Sequence, residues 1–154
     1  MNIWKKFKKF VRKFFFINDT PEKIAGGAAL GIFLGIFPGE GLLATLFFAS
    51  IFRLNKLSAT AGVLAVNMWS TALVLPLAAG TGCFLFDIDY QNLINEFNIN
   101  YHIGYKTFLV GTVFFDIALP LLVGFFVASG LIAATAYFLI YFILKKKHIQ
   151  HLGR

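Results

Sequence analysis

Charged residues are scarce in this sequence of 154 residues. Only 14% of the residues are charged and 58% are hydrophobic, whereas a water-soluble domain has about 25% charged and 45–50% apolar residues. A chain of this length has room for one domain, and one soluble core cannot hide so much apolar surface. The composition therefore argues against an ordinary water-soluble enzyme and predicts an integral membrane protein.

Residues for thiol, metal or acid–base chemistry are also few. Cys83 is the single cysteine, so no internal disulfide can form, and the cysteine content does not indicate whether the compartment is oxidising or reducing. His148 and His151 are spaced i, i+3 but lack a third ligand, which makes them a poor zinc site. No Ser-His-Asp, paired-carboxylate or cysteine-nucleophile pattern occurs in the sequence. We expect no enzymatic activity, no cofactor and no bound metal.

The excess charge is positive and lies beside apolar segments. The net charge is +7, and its position next to apolar runs favours anionic membrane lipids over nucleic acid as partner. In residues 1–17 most aromatic side chains fall on one helical arc and six Lys or Arg side chains on the other. This pattern predicts a basic amphipathic helix in the headgroup plane. A solubilising basic tail is the alternative.

Uncharged runs outline the rest of the chain. Residues 24–37 and 42–52 are uncharged over 14 and 11 positions, and Pro38–Gly41 separates them. Neither run reaches across a hydrocarbon core of ~30 Å, so the pattern predicts a re-entrant helical hairpin broken at Pro38–Gly41. Residues 57–86 and 117–144 are uncharged over 30 and 28 positions and predict two transmembrane helices. Whether 57–86 forms one span or a second broken hairpin stays open.

The predicted fold is thus an all-α membrane protein with one membrane domain over residues 18–147 and a cytoplasmic tail over 148–154. Thirteen of the 14 Lys and Arg residues lie before the hairpin, in the turn at 53–56 or after Leu144, and only Lys106 lies in the polar stretch 87–106. Under the positive-inside rule both termini are cytoplasmic and the stretch 87–106 faces the other side. This topology predicts a multi-pass protein.

Four short motifs follow one another in a distinctive order. They are Thr20–Ala25, Gly31–Pro38, Phe52–Lys56 and Asn67–Ser70. In this order the chain resembles the domain of unknown function 2062 family, small bacterial integral membrane proteins, although Met68 and Ser70 depart from that family's usual Pro and Thr. The resemblance implies the bacterial cytoplasmic (inner) membrane. Because some relatives carry a glycosyltransferase domain, it also implies proximity to lipid-linked sugar metabolism.

Five polar residues are the candidate substrate-binding residues. Glu40 lies within the break, at the tip of the hairpin, and an ionisable group at bilayer depth is a functional candidate. A hydrated tip nearer the interface is the alternative. Asn67 and Ser70 share a helix face, either for hydrogen bonding between helices or as a polar lining. Arg53 and Lys56 either hold lipid phosphates or serve as topology signals. We expect all five to converge on one cavity that opens to the cytoplasm.

Gly27, Gly31 and Gly35 are spaced by four residues and form a small-residue face on the first arm of the hairpin. This face predicts close helix packing, and a smooth wall for a lipid chain is the alternative. Gly124 and Gly130 offer similar faces on the last helix. The non-helical backbone at the tip of the hairpin must be shielded from lipid by protein, which also favours a homo-oligomer.

Two functions agree with these features. The first is a transporter or flippase-like protein for a lipid or an amphiphilic anion, because broken helices commonly build substrate sites in membranes. The second is a non-transporting membrane scaffold for a glycosyltransferase or another envelope-biogenesis enzyme, as the resemblance implies. Replacing Glu40 distinguishes them, because transport should fail whereas scaffolding should survive.

Overall fold

The computed structural model of the protein describes residues 19–37, 41–66, 68–104, 106 and 111–152. These residues are almost entirely helical and include no β-strand. The helices are α1 Pro21–Ile36, α2 Leu42–Ile51, α3 Lys56–Ala65, α4 Met68–Phe86, α5 Tyr90–Ile103 and α6 Leu119–Leu152. The predicted all-α fold is confirmed, while the predicted amphipathic helix over 1–17 lies outside the described residues.

The segment predicted as a hairpin consists of two short helices. α1 begins where the amide of Lys23 donates to the Thr20 hydroxyl (3.5 Å) and Pro21 takes the first helical position. The helix ends at Ile36, and Phe37 is extended with ψ 129°. α2 begins after Gly41. The predicted break between two helices is therefore confirmed, although residues 38–40 of the connection lie outside the described residues.

Residues 57–86 do not form one straight helix. The first half lies in α3 and the second half in α4, and the axes of Lys56–Ala65 and Ser70–Phe86 differ by 82°. Val66, between them, is extended with φ −113° and ψ 118°. Residues 57–86 therefore form two helices around a sharp bend. The bend agrees with both arrangements that the sequence left open, one broken span and a second broken hairpin.

Helices α1 and α3 pack side by side and run in the same direction. Gly27 of α1 faces Asn55 and Ser58 at the start of α3, whereas Gly35 faces Val63 and Val66 at its end. Both residue numbers rise together along the contact, so the helices are parallel. The short α2 between them returns the chain from the end of α1 to the start of α3.

Helices α4 and α6 pack antiparallel through glycines. Gly82 lies against the carbonyl of Pro120, and Gly124 lies against the carbonyl of Ala78. The hydroxyl of Thr81 donates to the Gly124 carbonyl (3.2 Å) across the same contact. The end of α1 joins this pair in an apolar cluster whose buried members are Ile36, Val74, Ala78, Phe125 and Ala128.

The polar stretch between α4 and α6 is mostly helical. Asp89 caps α5 by accepting a hydrogen bond from the amide of Asn92 (3.0 Å). Leu93 is only 2% exposed and packs in a second apolar cluster with Ala79, Ile117 and Leu121. The polar composition of 87–106 concealed this helix, although Asp89 and Gly104 stand at its two ends as helix start and stop residues.

Among the residues that the structure describes, one helix is long and apolar enough to cross a membrane. It covers Phe114–Lys146, 33 residues that include the π-helical segment Phe114–Ala118 and most of α6. The long helix predicted over 117–144 is confirmed as a helix. The bent pair of α3 and α4 passes the same length and composition criteria only when its two helices are taken together.

Candidate functional site

The candidate residues that the structure describes lie near the two opposite ends of α1. Arg53 lies in the turn between α2 and α3, and Lys56 is the first residue of α3. This turn contacts the start of α1. Ser70 lies in the first turn of α4, next to the residue that contacts the end of α1. Glu40 and Asn67 lie outside the described residues. The described candidate residues belong to two separate regions, the base turn (residues 52–56) and the helix break (residues 35–37, 66 and 70–71).

The base turn closes α2 by a Schellman arrangement. The amide of Leu54 donates to the Ala49 carbonyl (2.9 Å) and the amide of Arg53 donates to the Ser50 carbonyl (3.2 Å). Arg53 occupies the left-handed position of this motif with φ 54°, where glycine is usual because it has no Cβ. The side chains of Arg53 and Lys56 are both exposed.

Asn55 connects the base turn to the start of α1. Its side-chain oxygen accepts from the amide of Ser58 (2.8 Å) and so caps α3, while Nδ2 donates to Asp19 Oδ2 (3.0 Å). Its amide donates to the Lys23 carbonyl (3.1 Å), and the residue is only 6% exposed. Buried polar groups of this kind are stabilising only when fully bonded.

Sequence reasoning selected the two basic neighbours of Asn55 and missed Asn55 itself. The signal was present, because Asn is a favoured N-cap and Asn55 stands two residues before the uncharged run 57–86. Its bonds to Asp19 and Lys23, however, join positions more than 30 residues apart. That pairing follows from the parallel packing of α1 and α3 and has no periodic pattern in the sequence.

At the helix break, α1 and α3 end next to each other. The carbonyl oxygen of Val66 lies 3.1 Å from the position that a Cβ on Gly35 would take. The hydroxyl of Thr71 in α4 donates to the Ile36 carbonyl (2.9 Å), one of the carbonyls that the end of α1 leaves without a partner inside the helix. Ser70 beside it is half-buried. The end of α1, the end of α3 and the start of α4 thus lie next to one another.

The base turn and the helix break do not form one site. The base turn bonds to Lys23 and the break bonds to Ile36, and 13 residues of helix between these positions span about 20 Å. The expectation that Arg53, Lys56 and Ser70 converge on one cavity is therefore wrong. Chain order suggested proximity, but α3 runs parallel to α1 and carries the two groups to opposite ends of it.

The glycine face of α1 is covered by α3. A Cβ at Gly27 would meet Ser58 and Asn55, and one at Gly31 would meet Ala59 and Val63. On the facing helix, a Cβ at Gly62 would lie 3.0 Å from the Cα of Gly31. Because backbone fills this face, no lipid chain has room to lie along it. The glycines serve helix packing.

The described residues offer no group of three or more His, Cys, Asp or Glu side chains that could hold a metal ion. Their buried side-chain polar atoms all have hydrogen-bond partners. The chemistry that this part of the chain supports is therefore recognition: basic side chains at the base turn, and hydroxyl groups with helix-end carbonyls at the break.

One comparison with known proteins gives a relationship. A family model described as "Uncharacterized protein conserved in bacteria (DUF2062)" matches residues 4–152, nearly the whole chain. No curated protein and no solved structure matches the chain.

Proposed function

The chain belongs to the DUF2062 family, and from that premise we propose that it is an integral membrane protein that transports a lipid or an amphiphilic anion. The observation that carries the proposal is the shared layer of two helix breaks, where α1 and α3 end in contact and Thr71 of α4 bonds to Ile36. Broken helices that meet in this way build the substrate sites of many transporters.

The outer surface of the described residues supports membrane insertion. Large apolar side chains are exposed on every helix from α2 to α6, including Leu43 at 84% and Phe84 at 86%. Soluble monomers rarely expose apolar patches larger than a few hundred Å². In lipid the same surface needs no cover, and Phe114–Lys146 is long enough to span the bilayer. We place this protein in the bacterial inner membrane.

The helix break supplies polar backbone that lipid cannot satisfy. A helix end buried in hydrocarbon leaves up to four carbonyls without partners, and each unsatisfied group costs several kcal/mol there. The Thr71 hydroxyl satisfies one of them. In the sequence Glu40 stands between α1 and α2, and Asn67 stands between α3 and α4. We therefore assign the substrate contacts to these two residues together with Ser70.

The proposed topology puts the base turn on the cytoplasmic side. Arg53 and Lys56 lie at the base of α1, and Lys145 and Lys146 lie near the end of α6, whereas α5 contains no Lys or Arg. The positive-inside rule then gives cytoplasmic termini and an α5 on the opposite face. The proposed homo-oligomer cannot use Gly124, which packs on α4, but Gly130 faces open space.

A reconstitution assay tests the proposal. Full-length protein in liposomes is expected to accelerate the transfer of fluorescent phosphatidylglycerol between leaflets, measured by dithionite quenching. Glu40→Gln and Asn67→Ala should reduce the rate at least tenfold without lowering insertion, because each removes a polar contact at the break. Glu96→Gln, which removes an exposed carboxylate from α5, is the matched control and should leave the rate unchanged.

Failure of this assay has a clear meaning. If the wild-type protein does not accelerate transfer, or if Glu40→Gln acts like Glu96→Gln, the transport proposal is wrong. The scaffold alternative then predicts that a glycosyltransferase or another envelope enzyme copurifies equally well with both variants. That result would assign the chain to assembly of such enzymes.

A further inference from the structure

We propose that α5 is an interfacial helix whose last turn (residues 99–103) inserts into the lipid leaflet on the far side from the base turn. The partner of this surface is phospholipid, at the boundary between headgroups and acyl chains. The inference rests on the proposed membrane insertion and is independent of transport, because a scaffold can be anchored in the same way. It makes α5 part of the membrane surface and not a loop in water.

α5 lies beside α4 and α6 and leaves the end of α4 uncovered. Leu93 packs in the second apolar cluster with Ala79 and Cys83, which precede the last residue of α4, Phe86, by one to two helical turns. α5 therefore turns back along α4 by about 5–10 Å. The end of α4 stays open, because Phe84 is 86% exposed there. The side of α5 that faces away from Leu93 thus points sideways, towards the lipid around the helices.

The level at which α5 packs coincides with a boundary of the bilayer. The cluster that holds Leu93 includes Leu121 of α6, and Tyr141 follows Leu121 by 20 residues, about 30 Å of helix and the thickness of a hydrocarbon core. Tyr141 stacks on Tyr137 with ring centroids 6.0 Å apart, and Lys145 Nζ lies 5.5 Å from its own ring centroid. Tyr and Lys side chains of this kind anchor a helix at the interface. With Tyr141 at one boundary, Leu121 and the first half of α5 lie at the other.

The last turn of α5 exposes large apolar side chains at this boundary. Ile99 is 60% exposed, and Tyr101 and Ile103 are each 67% exposed. Ile99 and Ile103 are four residues apart, so they project on the same side of the helix. Phe84 of α4 and Phe115 of the π-helical segment are exposed next to the cluster residues Cys83 and Ile117. The exposed side chains of α5 thus continue an apolar band at one level of the molecule, and lipid is the solvent in which that band is favourable.

Apolar burial, and not charge, holds α5 at the surface. The helix contains no Lys or Arg, and the charged side chains beside it are the exposed carboxylates of Asp87, Asp89 and Asp116. An interfacial helix binds through its buried apolar area and through attraction of basic side chains to anionic lipid. Only the first contribution is open to α5, so its insertion should not depend on anionic lipid.

Spin labels measure the depth of the last turn in liposomes that contain the full-length protein. In a Cys83→Ala background, Ile99→Cys and Ile103→Cys carry the label, and its accessibility to oxygen and to a water-soluble nickel chelate gives the depth. Leu131→Cys, ten residues from both boundaries, is the mid-bilayer reference, and the exposed Lys56→Cys is the aqueous reference. Both α5 labels should lie within about 5 Å of the acyl-chain boundary, in phosphatidylcholine and in phosphatidylglycerol alike.

The reference positions separate the failures of the two proposals. If the α5 labels meet the chelate as freely as Lys56→Cys while Leu131→Cys is shielded, α5 lies in water and only this inference is wrong. If Leu131→Cys also meets the chelate, membrane insertion itself is wrong. Labels hidden from both reagents would indicate a protein partner such as a second copy, and insertion only in phosphatidylglycerol would indicate charge; either result overturns the inference.

A second measurement keeps Cys83 and needs no label. Ile103→Asn in liposomes should speed amide hydrogen exchange in the last turn of α5 about tenfold, because the polar side chain no longer holds that turn in lipid. The matched control is His102→Asn, which changes the neighbouring exposed residue to the same residue type and should alter the rate less than about twofold. Equal exchange rates in the two variants would show that lipid does not hold the last turn.

Discussion

Gly31→Ala tests the parallel packing of α1 and α3 most directly. The added methyl group would meet the carbonyl oxygen of Ala59 and come within 2.9 Å of the Val63 amide nitrogen. Both atoms belong to the backbone of α3, so no side-chain rotation can relieve the contact. The two helices must separate, and the contact between Gly62 and Gly31 is lost with them.

The net effect is a difference between two opposing terms. Alanine is favoured over glycine inside a helix by about 1 kcal/mol, whereas overpacking a tight contact costs about 1–3 kcal/mol and more when backbone must move. Because the obstruction is backbone on both sides, the second term exceeds the first. We expect the free energy of unfolding to fall by about 1–2 kcal/mol.

Reversible unfolding in mixed micelles with sodium dodecyl sulfate measures this change. Gly80→Ala is the matched control, since a Cβ there meets nothing within 4 Å, and it should stabilise by up to about 1 kcal/mol. Gly26→Ala should fall between them, because only the end of the Leu54 side chain obstructs it. If Gly31→Ala is as stable as Gly80→Ala, the described contact of α1 with α3 is incorrect.

Three further changes probe single contacts. Asn55→Ala should lower the free energy of unfolding by about 2 kcal/mol through loss of the α3 cap and the bond to the first helix, and Asn55→Ser should recover the cap alone; equal losses would contradict this role. Thr71→Val should cost about 1 kcal/mol by leaving the Ile36 carbonyl unpaired, unlike Thr135→Val, whose hydroxyl bonds within its own helix. Leu93→Ala should cost about 2–4 kcal/mol and speed proteolysis of α5; an unchanged cleavage rate would show that Leu93 does not hold α5 in place.

The helices that sequence reasoning predicted correctly are those with local signals. α1 and α2 could be separated because proline and glycine interrupt an uncharged run, and the long helix over 117–144 follows from the length of its apolar stretch. α5 was not predicted because the stretch 87–106 is polar overall, although Leu93, Phe97 and Tyr101 recur every four residues along it. The bend before α4 also lacks a local signal, since no proline precedes it and Pro76 lies inside the helix.

The candidate site shows the same division between local and long-range information. Charge identified Arg53 and Lys56 as exposed basic residues, and helical spacing identified the glycine face of α1. Neither reveals that the base turn and Ser70 lie at opposite ends of α1, since that depends on the direction of α3 after a turn of a few residues. The left-handed backbone of Arg53 was equally hidden, because Arg is an unusual residue for it.

The sequence by itself determined the apolar composition and the order of the helices, because hydrophobicity and the interruption of helices are local properties of a few adjacent residues. Only the tertiary structure decided that α1 and α3 run parallel, that their glycines face each other and that Asn55 joins Asp19 to α3. Those contacts connect residues some 30 positions apart, and their energy depends on how closely two backbones approach. That distance is a property of the packed pair of helices.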